Sequence, residues 1–360
     1  MNRGLFLKLA REGHCMPIGT HLVLHERPDA EDVMLDGTAL GEVVVESARR
    51  FGTPLAVPLM DLTLEKEAML RAMGVEAEEL AKFHFESLPE REMGRVELTP
   101  RMRATCDAIA HVTQLPELLP MGMAIGPYSL LTKLVRDPIT PVYMTGMGMT
   151  AEQEPDIALM ETLLELGERV ILRYVNAQID AGAKAIVICE PAANLVYFSP
   201  LQMEDNPGPF EHFVMEPMQR LAAVLEARDV DLVFHDCGEL TDDMVERFGQ
   251  LGAAMLSFGS SRDMVEDADL VPDDVVLYGN LPSKNFYATE LTTDEVEARG
   301  RELVERMAKT KHPFILGTEC DVLSVPGKEG EITSKVTALM RCGCKVAVDT
   351  APNGPRCEGV

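Results

Sequence analysis

The amino-acid sequence predicts a (β/α)8 barrel of the TIM type. Short apolar runs alternate along the chain with segments of helical spacing, as expected for a parallel sheet whose strands are buried on both faces. About eight such runs can be counted, near residues 55, 121, 142, 185, 231, 253, 275 and 313, and that number suits a closed barrel. No G-x-G-x-x-G motif follows the early strands, so a dinucleotide-binding sheet has no support.

The order of elements follows from the spacing of apolar residues and from the positions of Gly and Pro. The N-terminal part is expected to contain a short amphipathic segment with loops at 1–24, a helix at 29–51, a strand at 55–60, helix and polar loop at 62–115, a strand at 121–126 and a helix at 130–135. The remainder is expected to contain a helix from a capping box at 150–153 to Gly182, strands that begin at 185, 231, 253, 275 and 313, and helices at 210–228, near 244–248 and at 293–309. Because the chain shows no repeat, low-complexity tract or linker, we expect one barrel domain over residues 1–360, with an N-terminal helical and loop extension.

Composition and charge exclude several classes of function. The chain has 360 residues, of which 46% are hydrophobic, and a formal net charge of −26. Nucleic acids and anionic membrane surfaces are bound by clustered Lys and Arg, so neither is an expected partner. No apolar run reaches the length of about 18 residues that a membrane-spanning helix needs. Residues 1–8 lack the pattern of a signal peptide, and we therefore expect a cytoplasmic protein.

The eight cysteines are expected to be thiols or metal ligands, because a disulfide framework is unusual in a cytoplasmic chain of this length. One C-x-C pair, Cys342-Gly343-Cys344, precedes an apolar run at 345–348 that can form a strand. Functional groups of barrels follow strands rather than precede them, so we interpret this pair as structural.

Polar residues with ligand chemistry follow several predicted strands. His235 and Cys237 end the run that begins at residue 231, and Cys320 follows the run that begins at 313. Residues i and i+2 of a strand point to the same side, so His-x-Cys can chelate one ion. A catalytic zinc site has three protein ligands and one open position, and these three residues match it. From the residues alone, two buried thiols beside a hydrogen-bonded histidine remain an equally good interpretation.

The ligand set indicates a class of reaction. The chain has no His-x-Glu and Cys-x-x-Cys pattern of a zinc deaminase. Two thiolates make a zinc ion electron-rich, which favours the binding of a substrate thiol over hydrolysis. Zinc deprotonates such a thiol, and the thiolate is a nucleophile toward an activated methyl group.

Several short motifs occur at the ends of predicted strands and in the segments between them: Asp61-Leu62-Thr63-Leu64-Glu65, Gly126-Pro127-Tyr128-Ser129, Ala177 to Ala183, Cys189-Glu190-Pro191, Ser199-Pro200, Phe213 to Pro217, Gly279-Asn280-Leu281 and Gly317 to Asp321. Together they resemble the motifs of the uroporphyrinogen decarboxylase superfamily and, within it, of the cobalamin-dependent methyltransferases. The resemblance covers most of the chain and implies a uroporphyrinogen decarboxylase-like barrel. The decarboxylases carry R-Q-A-G-R-Y near the N-terminus, whereas this chain has Met16-Pro17-Ile18-Gly19-Thr20-His21.

The same resemblance assigns roles to particular residues. Methylcobamide:coenzyme M methyltransferases carry H-x-C and a later Cys as zinc ligands, which correspond to His235, Cys237 and Cys320. The resemblance also implies that a zinc-bound thiolate attacks the methyl group of methylcobalamin, which a separate small corrinoid protein carries. The small-molecule methyl acceptor is then expected to be a thiol.

Further site residues are assigned by their positions after strands. We expect Glu190 to be catalytic, as a displaceable fourth ligand or as a partner of a ligand; the alternative is a carboxylate that caps a loop. Asn280 and Ser260 are candidate contacts of the corrinoid or the substrate, and both are equally suited to bonding loop backbone. Asp236 is expected to point away from the site, and His21 lies in a loop within reach of the barrel mouth.

The sequence is also compatible with other functions. Within the family, the methyl group could move to or from tetrahydrofolate or a methylated amine or ether. A porphyrinogen decarboxylase would need clustered Arg for substrate carboxylates, and Arg101 with Arg103 is the only close pair near a predicted loop. A non-catalytic binding barrel would have no use for three metal ligands together.

Overall fold

The computed structural model describes residues 2–343, in which eight parallel strands form a single curled sheet. The strands are β1 (Cys15–Ile18), β2 (Leu55–Ala56), β3 (Leu119–Ile125), β4 (Ala185–Cys189), β5 (Asp231–Asp236), β6 (Met255–Phe258), β7 (Val276–Leu281) and β8 (Phe314–Asp321). Their order across the sheet is β1-β8-β7-β6-β5-β4-β3-β2. The predicted barrel-type α/β fold is confirmed. Cys344 and the apolar run at 345–348 lie outside the described residues.

Helices connect successive strands and cover the outside of the sheet. They are α1 (Arg3–Arg11), α2 (Thr20–Leu24), α3 (Ala30–Val33), α4 (Gly37–Arg50), α5 (Leu64–Ala72), α6 (Pro100–Val112), α7 (Pro127–Leu134), α8 (Ile139–Gly146), α9 (Pro155–Asp180), α10 (Pro200–Asp205), α11 (Gly208–Phe210), α12 (Glu216–Ala227), α13 (Asp242–Gly249), α14 (Met264–Asp267), α15 (Thr293–Thr310) and α16 (Glu329–Met340). A π-helical turn at Glu211–Met215 joins α11 to α12, and a 3-10 turn covers Ser283–Asn285. Among the described residues, no helix is both long and apolar enough to cross a bilayer.

The first and second strands meet at a seam. Within residues 2–343 no backbone ladder joins β1 to β2, and side chains span the gap instead. The Thr20 hydroxyl donates to the Val57 carbonyl at 2.7 Å, and the Thr53 hydroxyl lies 3.2 Å from the Met16 sulfur. The sheet therefore curls round until its two edges are held together by side-chain contacts.

Apolar side chains fill the barrel and its outer layer separately. An interior cluster draws on several strands and includes Met16, Met121, Val187, Val233 and Ile315. A larger cluster packs the strands against the surrounding helices. Neighbouring strands are in regular parallel register, which sets Cys189 beside His235 and His235 beside Ser257.

One predicted strand is wrong, and one strand was missed. The apolar run near residue 142 belongs to helix α8, because Asp137 accepts hydrogen bonds from the Ile139 and Thr140 amides, each at 3.0 Å. Pro141 lies in the first turn, where its missing N–H is not needed. The eighth strand is instead β1, within the predicted N-terminal amphipathic segment and loop. Its register with β8 shifts between Met16 and Ile18, a place that tolerates a proline.

Two predicted helices have different bounds in the structure. The helix predicted at 29–51 is divided into α3 and α4, because Asp36 accepts from the Thr38 and Ala39 amides and so starts a second helix. Of the capping box predicted at 150–153, the contact of the Gln153 side chain with the Thr150 amide forms, at 3.0 Å. It belongs to a turn, however, and α9 begins at Pro155.

Candidate metal centre

Strands β5 and β8 bring the three predicted ligands together at their carboxyl ends. His235 lies in β5, Cys237 directly follows it, and Cys320 lies near the end of β8. The ligand atoms of the three side chains lie within 4.8 Å of one another. His235 is buried and the two thiols are half-buried, so the group is reachable from the barrel mouth.

The imidazole of His235 is oriented by a hydroxyl on a neighbouring strand. Its Nδ1 lies 2.9 Å from the Ser257 hydroxyl on the neighbouring strand β6. Its Nε2 is buried and has no hydrogen-bond partner among the described residues, which is costly for a polar atom. A hydroxyl that holds one ring nitrogen fixes the orientation of the other toward a metal. One imidazole nitrogen and two thiols therefore fit a metal with the preferences of zinc.

The two thiols are electrostatically linked. A hydrogen bond from the Cys320 thiol, with His235 and Lys284 nearby, lowers the pKa of Cys237 despite its burial. The same hydrogen bond, together with burial, raises the pKa of Cys320. The hydrogen bond between the two sulfurs and the nearby positive charge of Lys284 therefore favour a thiolate within the pair. Thiolates are the form in which cysteine binds metals.

Lys284 supplies a positive charge beside this pair. It lies in the 3-10 turn after β7, and its Nζ donates to the Cys237 carbonyl at 3.3 Å. Burial lowers the pKa of Lys284, but the charges of Cys237, Glu319 and Cys320 outweigh burial and raise it. The ammonium therefore stays charged and favours anionic sulfur at the centre.

Glu319 connects the loops around the thiols. One of its carboxylate oxygens accepts from the Ser260 amide at 3.1 Å and the Ser260 hydroxyl at 2.7 Å, and the other accepts from the Lys284 amide at 3.3 Å. The Ser283 hydroxyl donates to the Cys320 carbonyl at 3.0 Å. Ser260 thus lies near the centre, where its hydroxyl joins the loop after β6 to β8. A contact of Ser260 with a corrinoid or substrate stays a prediction.

Asn280 also bonds loop backbone. Its amide Nδ2 donates to the Gly259 carbonyl at 2.8 Å and to the Arg262 carbonyl at 2.9 Å, which ties the end of β7 to the loop after β6. Asn280 and Ser260 border a cavity of about 700 Å³ between these loops and α15. A role for Asn280 in binding a ligand stays a prediction.

Glu190 is buried at the end of β4 and does not belong to the group of three ligands. Its two oxygens accept from the backbone amides of Tyr128 and Ser129, in the first turn of α7. Burial raises the pKa of Glu190 to about 7, although these bonds oppose the shift. Gly126 makes the approach feasible, because a Cβ there would lie 2.2 Å from a Glu190 oxygen. Glu190 therefore caps α7, and its catalytic role stays a prediction.

Charged residues line the other side of the barrel mouth. No pattern in the sequence groups them together. His21 bonds Asp321, the residue after Cys320, and Asp61 forms an ion pair with Arg101. Burial lowers the pKa of His21, but the Asp321 and Asp61 carboxylates raise it overall. These contacts join segments far apart in sequence, which spacing alone does not indicate.

Glu65 is a buried carboxyl at the start of α5. One oxygen accepts from the Ile125 amide at 3.1 Å, and the other is buried without a partner in the described part of the chain. Burial raises the pKa of Glu65 to about 8, and the nearby charge of Asp61 adds to the shift. Glu65 is therefore protonated at neutral pH.

Comparisons with known proteins agree with this architecture. A solved methyltransferase from Methanosarcina mazei superposes with a TM-score of 0.62 at 17% sequence identity, over 93% of this chain and 97% of that one. The curated relatives include a uroporphyrinogen decarboxylase from Teredinibacter turnerae, 25% identical over 77% of this chain and 76% of its own length. Another, from Granulibacter bethesdensis, is 25% identical over 83% and 84% of the two chains. The family model described as uroporphyrinogen decarboxylase (URO-D) matches residues 23–327, and the chain therefore belongs to the URO-D family.

Proposed function

We propose that this protein is a methyltransferase that moves a methyl group from a methylated corrinoid to the sulfur of a small thiol. The convergence of His235, Cys237 and Cys320 within 4.8 Å carries the proposal. These residues would hold zinc, which lowers the pKa of a bound thiol and so supplies a thiolate at neutral pH. The name of the Methanosarcina neighbour supports methyl transfer as the class of reaction.

The residues of the chain have distinct tasks in this reaction. Ser257 holds the His235 ring in one orientation, and Lys284 favours negative charge at the thiols. A sulfur–carbon bond forms while the bond between the methyl group and its donor breaks. The electron pair of that bond stays with the donor, and the proton of the acceptor thiol leaves to solvent. A small corrinoid protein that carries methylcobalamin is the proposed donor.

Metal analysis and a transfer assay test the proposal together. We expect about one zinc per chain in reduced wild-type protein and loss of zinc in Cys237→Ala and Cys320→Ala. Cys106→Ala is the control, because it also removes a free thiol, but one that lies on α6 and does not belong to the group of three ligands. Methylcobalamin and a panel of small thiols then give the rate of methyl transfer. A wild-type protein without zinc, or full transfer activity in both ligand variants, would contradict the proposal.

Decarboxylation is the second candidate, because the curated relatives at 25% identity are named uroporphyrinogen decarboxylases. The pair of arginines that this reaction would use is engaged elsewhere. Arg101 forms an ion pair with Asp61, and the Arg103 guanidinium donates to the Leu98 carbonyl. Incubation with uroporphyrinogen III distinguishes the two functions: loss of carboxyl groups would support decarboxylation, and an unchanged substrate would support methyl transfer.

A further inference from the structure

Exposed apolar side chains are concentrated at one end of the barrel. Ten large apolar side chains are exposed in the described part of the chain. Nine of them lie between the carboxyl end of a strand and the last helix before the next strand, and the tenth, Leu323, lies between β8 and α16. Parallel strands place these segments at one end of the sheet, the end that carries His235, Cys237 and Cys320. A biased distribution of this kind marks an interaction surface, whereas scattered apolar residues need no explanation.

Six of the ten belong to two neighbouring segments, which follow β3 and β4. They are Ile139, Tyr143, Met147, Met149, Val196 and Leu201, and we call them the rim patch. Met147, Val196 and Leu201 are each 66% exposed, although large apolar side chains are usually buried. The segments are joined by hydrogen bonds from Gln202 to the Val142 carbonyl at 3.3 Å and from Asn206 to the Gly146 carbonyl at 3.0 Å.

The rim patch lies in two stretches of the sequence that carry no charged residue. Residues 138–151 and 191–203 contain no Asp, Glu, Lys or Arg, in a chain that is 26% charged. Depletion of charge is typical of the centre of protein–protein interfaces. Both stretches are therefore uncharged surface with apolar side chains.

The border of the patch has one sign of charge. Glu152, Glu154 and Asp156 follow the first stretch in the sequence, and Glu204 and Asp205 follow the second. No Lys or Arg occurs in residues 137–168 or 185–219, and Arg136, just before the first stretch, is paired with Glu86 at 3.2 Å. A complementary partner therefore has an apolar centre with Lys and Arg around it.

We propose that the rim patch docks a second protein whose binding surface is apolar and bordered by Lys and Arg. A second copy of this chain would oppose the same acidic border and another net charge of −26. Nucleic acid and anionic membranes are repelled for the same reason. The patch and the metal centre share one face, so the partner is the protein that delivers the methyl donor; this identity, unlike the surface itself, rests on the proposed function.

Two methyl donors test the surface separately from the chemistry. The triple variant Tyr143→Ser/Met147→Ser/Leu201→Ser removes apolar surface without touching the three ligands. Leu323→Ser is the matched control, because Leu323 is also exposed at this end but follows β8. Each protein is assayed with free methylcobalamin and with a recombinant small corrinoid protein loaded with methylcobalamin.

We expect the triple variant to keep wild-type rates with free methylcobalamin and to lose about tenfold or more in kcat/KM with the protein-bound donor. The control should resemble wild type with both donors. Glu152→Lys/Glu204→Lys should weaken binding of the corrinoid protein and reduce its dependence on salt. Equal use of both donors by the triple variant would overturn the proposal.

If no protein shows methyl transfer, a binding measurement tests the docking surface by itself. Isothermal titration of the corrinoid protein into wild-type protein then reports on the surface alone. Binding that the triple variant loses would support the rim patch even if the proposed reaction is wrong. No heat of binding with wild-type protein would overturn the docking proposal.

Discussion

The hydroxyl of Ser257 lies 2.9 Å from Nδ1 of His235, across the β5–β6 ladder in which the two residues are direct neighbours. The other ring nitrogen, Nε2, is buried and has no hydrogen-bond partner within residues 2–343. Ser257 is therefore placed to fix the orientation of the one nitrogen ligand in the group of three.

We expect Ser257→Ala to weaken zinc binding by about tenfold, because loss of a bond to the second ring nitrogen has effects of that order. Ser257→Thr keeps the hydroxyl and suits a strand, so its zinc affinity should stay near that of wild type. Competition with a chromophoric chelator measures both affinities. Equal zinc affinity in the Ala variant and wild type would show that the hydroxyl does not orient the ring.

The charge of Lys284 is expected to influence the acidity of Cys237. In metal-free protein, Lys284→Met should raise the pKa of Cys237, because a nearby ammonium favours the thiolate. The pH profile for alkylation of Cys237 should then move to higher pH by about half a unit to one unit. Mass spectrometry after brief treatment with iodoacetamide gives the profile. Lys284→Arg keeps the charge, so its alkylation profile should stay close to that of wild type. A profile in Lys284→Met that equals that of wild type would exclude this electrostatic role.

Glu65 should make the folded protein less stable as the pH rises. The pKa of Glu65 is about 8 in the folded protein, against 4.5 as its ordinary value. Between these values the folded state binds more protons than the unfolded state, so the free energy of unfolding falls as pH increases. Each unit of this shift corresponds to about 1.4 kcal/mol.

Glu65→Gln removes this titration. The free energy of unfolding should then fall less steeply between pH 5 and pH 8. Urea unfolding at several pH values measures the free energy of unfolding for both proteins. Glu67→Gln is the control, because Glu67 lies on the same helix and pairs at the surface with Arg71. If the free energy of unfolding of Glu65→Gln depends on pH as steeply as that of wild type, another group is responsible for the pH dependence.

The sequence allowed a partial prediction of the fold and of the site. The alternation of strands and helices predicts the barrel, and the positions of His235, Cys237 and Cys320 after strands predict that their side chains meet. The role of Ser257 depends on the register between β5 and β6, which no local pattern specifies. The contacts of Glu190 likewise depend on how closely α7 approaches β4. The strand near residue 142 was predicted from a short apolar run, where Asp137 and Pro141 in fact start a helix.

The seam between β1 and β2 bears on the solubility of the chain. A strand at the edge of a sheet exposes backbone groups that can pair with another molecule and so begin aggregation. Here each edge faces the other, β2 has only two residues, and Pro17 removes one donor from β1. Short strands and proline are established protections of sheet edges. The barrel is thus shielded from edge-to-edge association although no backbone ladder joins β1 to β2 within the described residues.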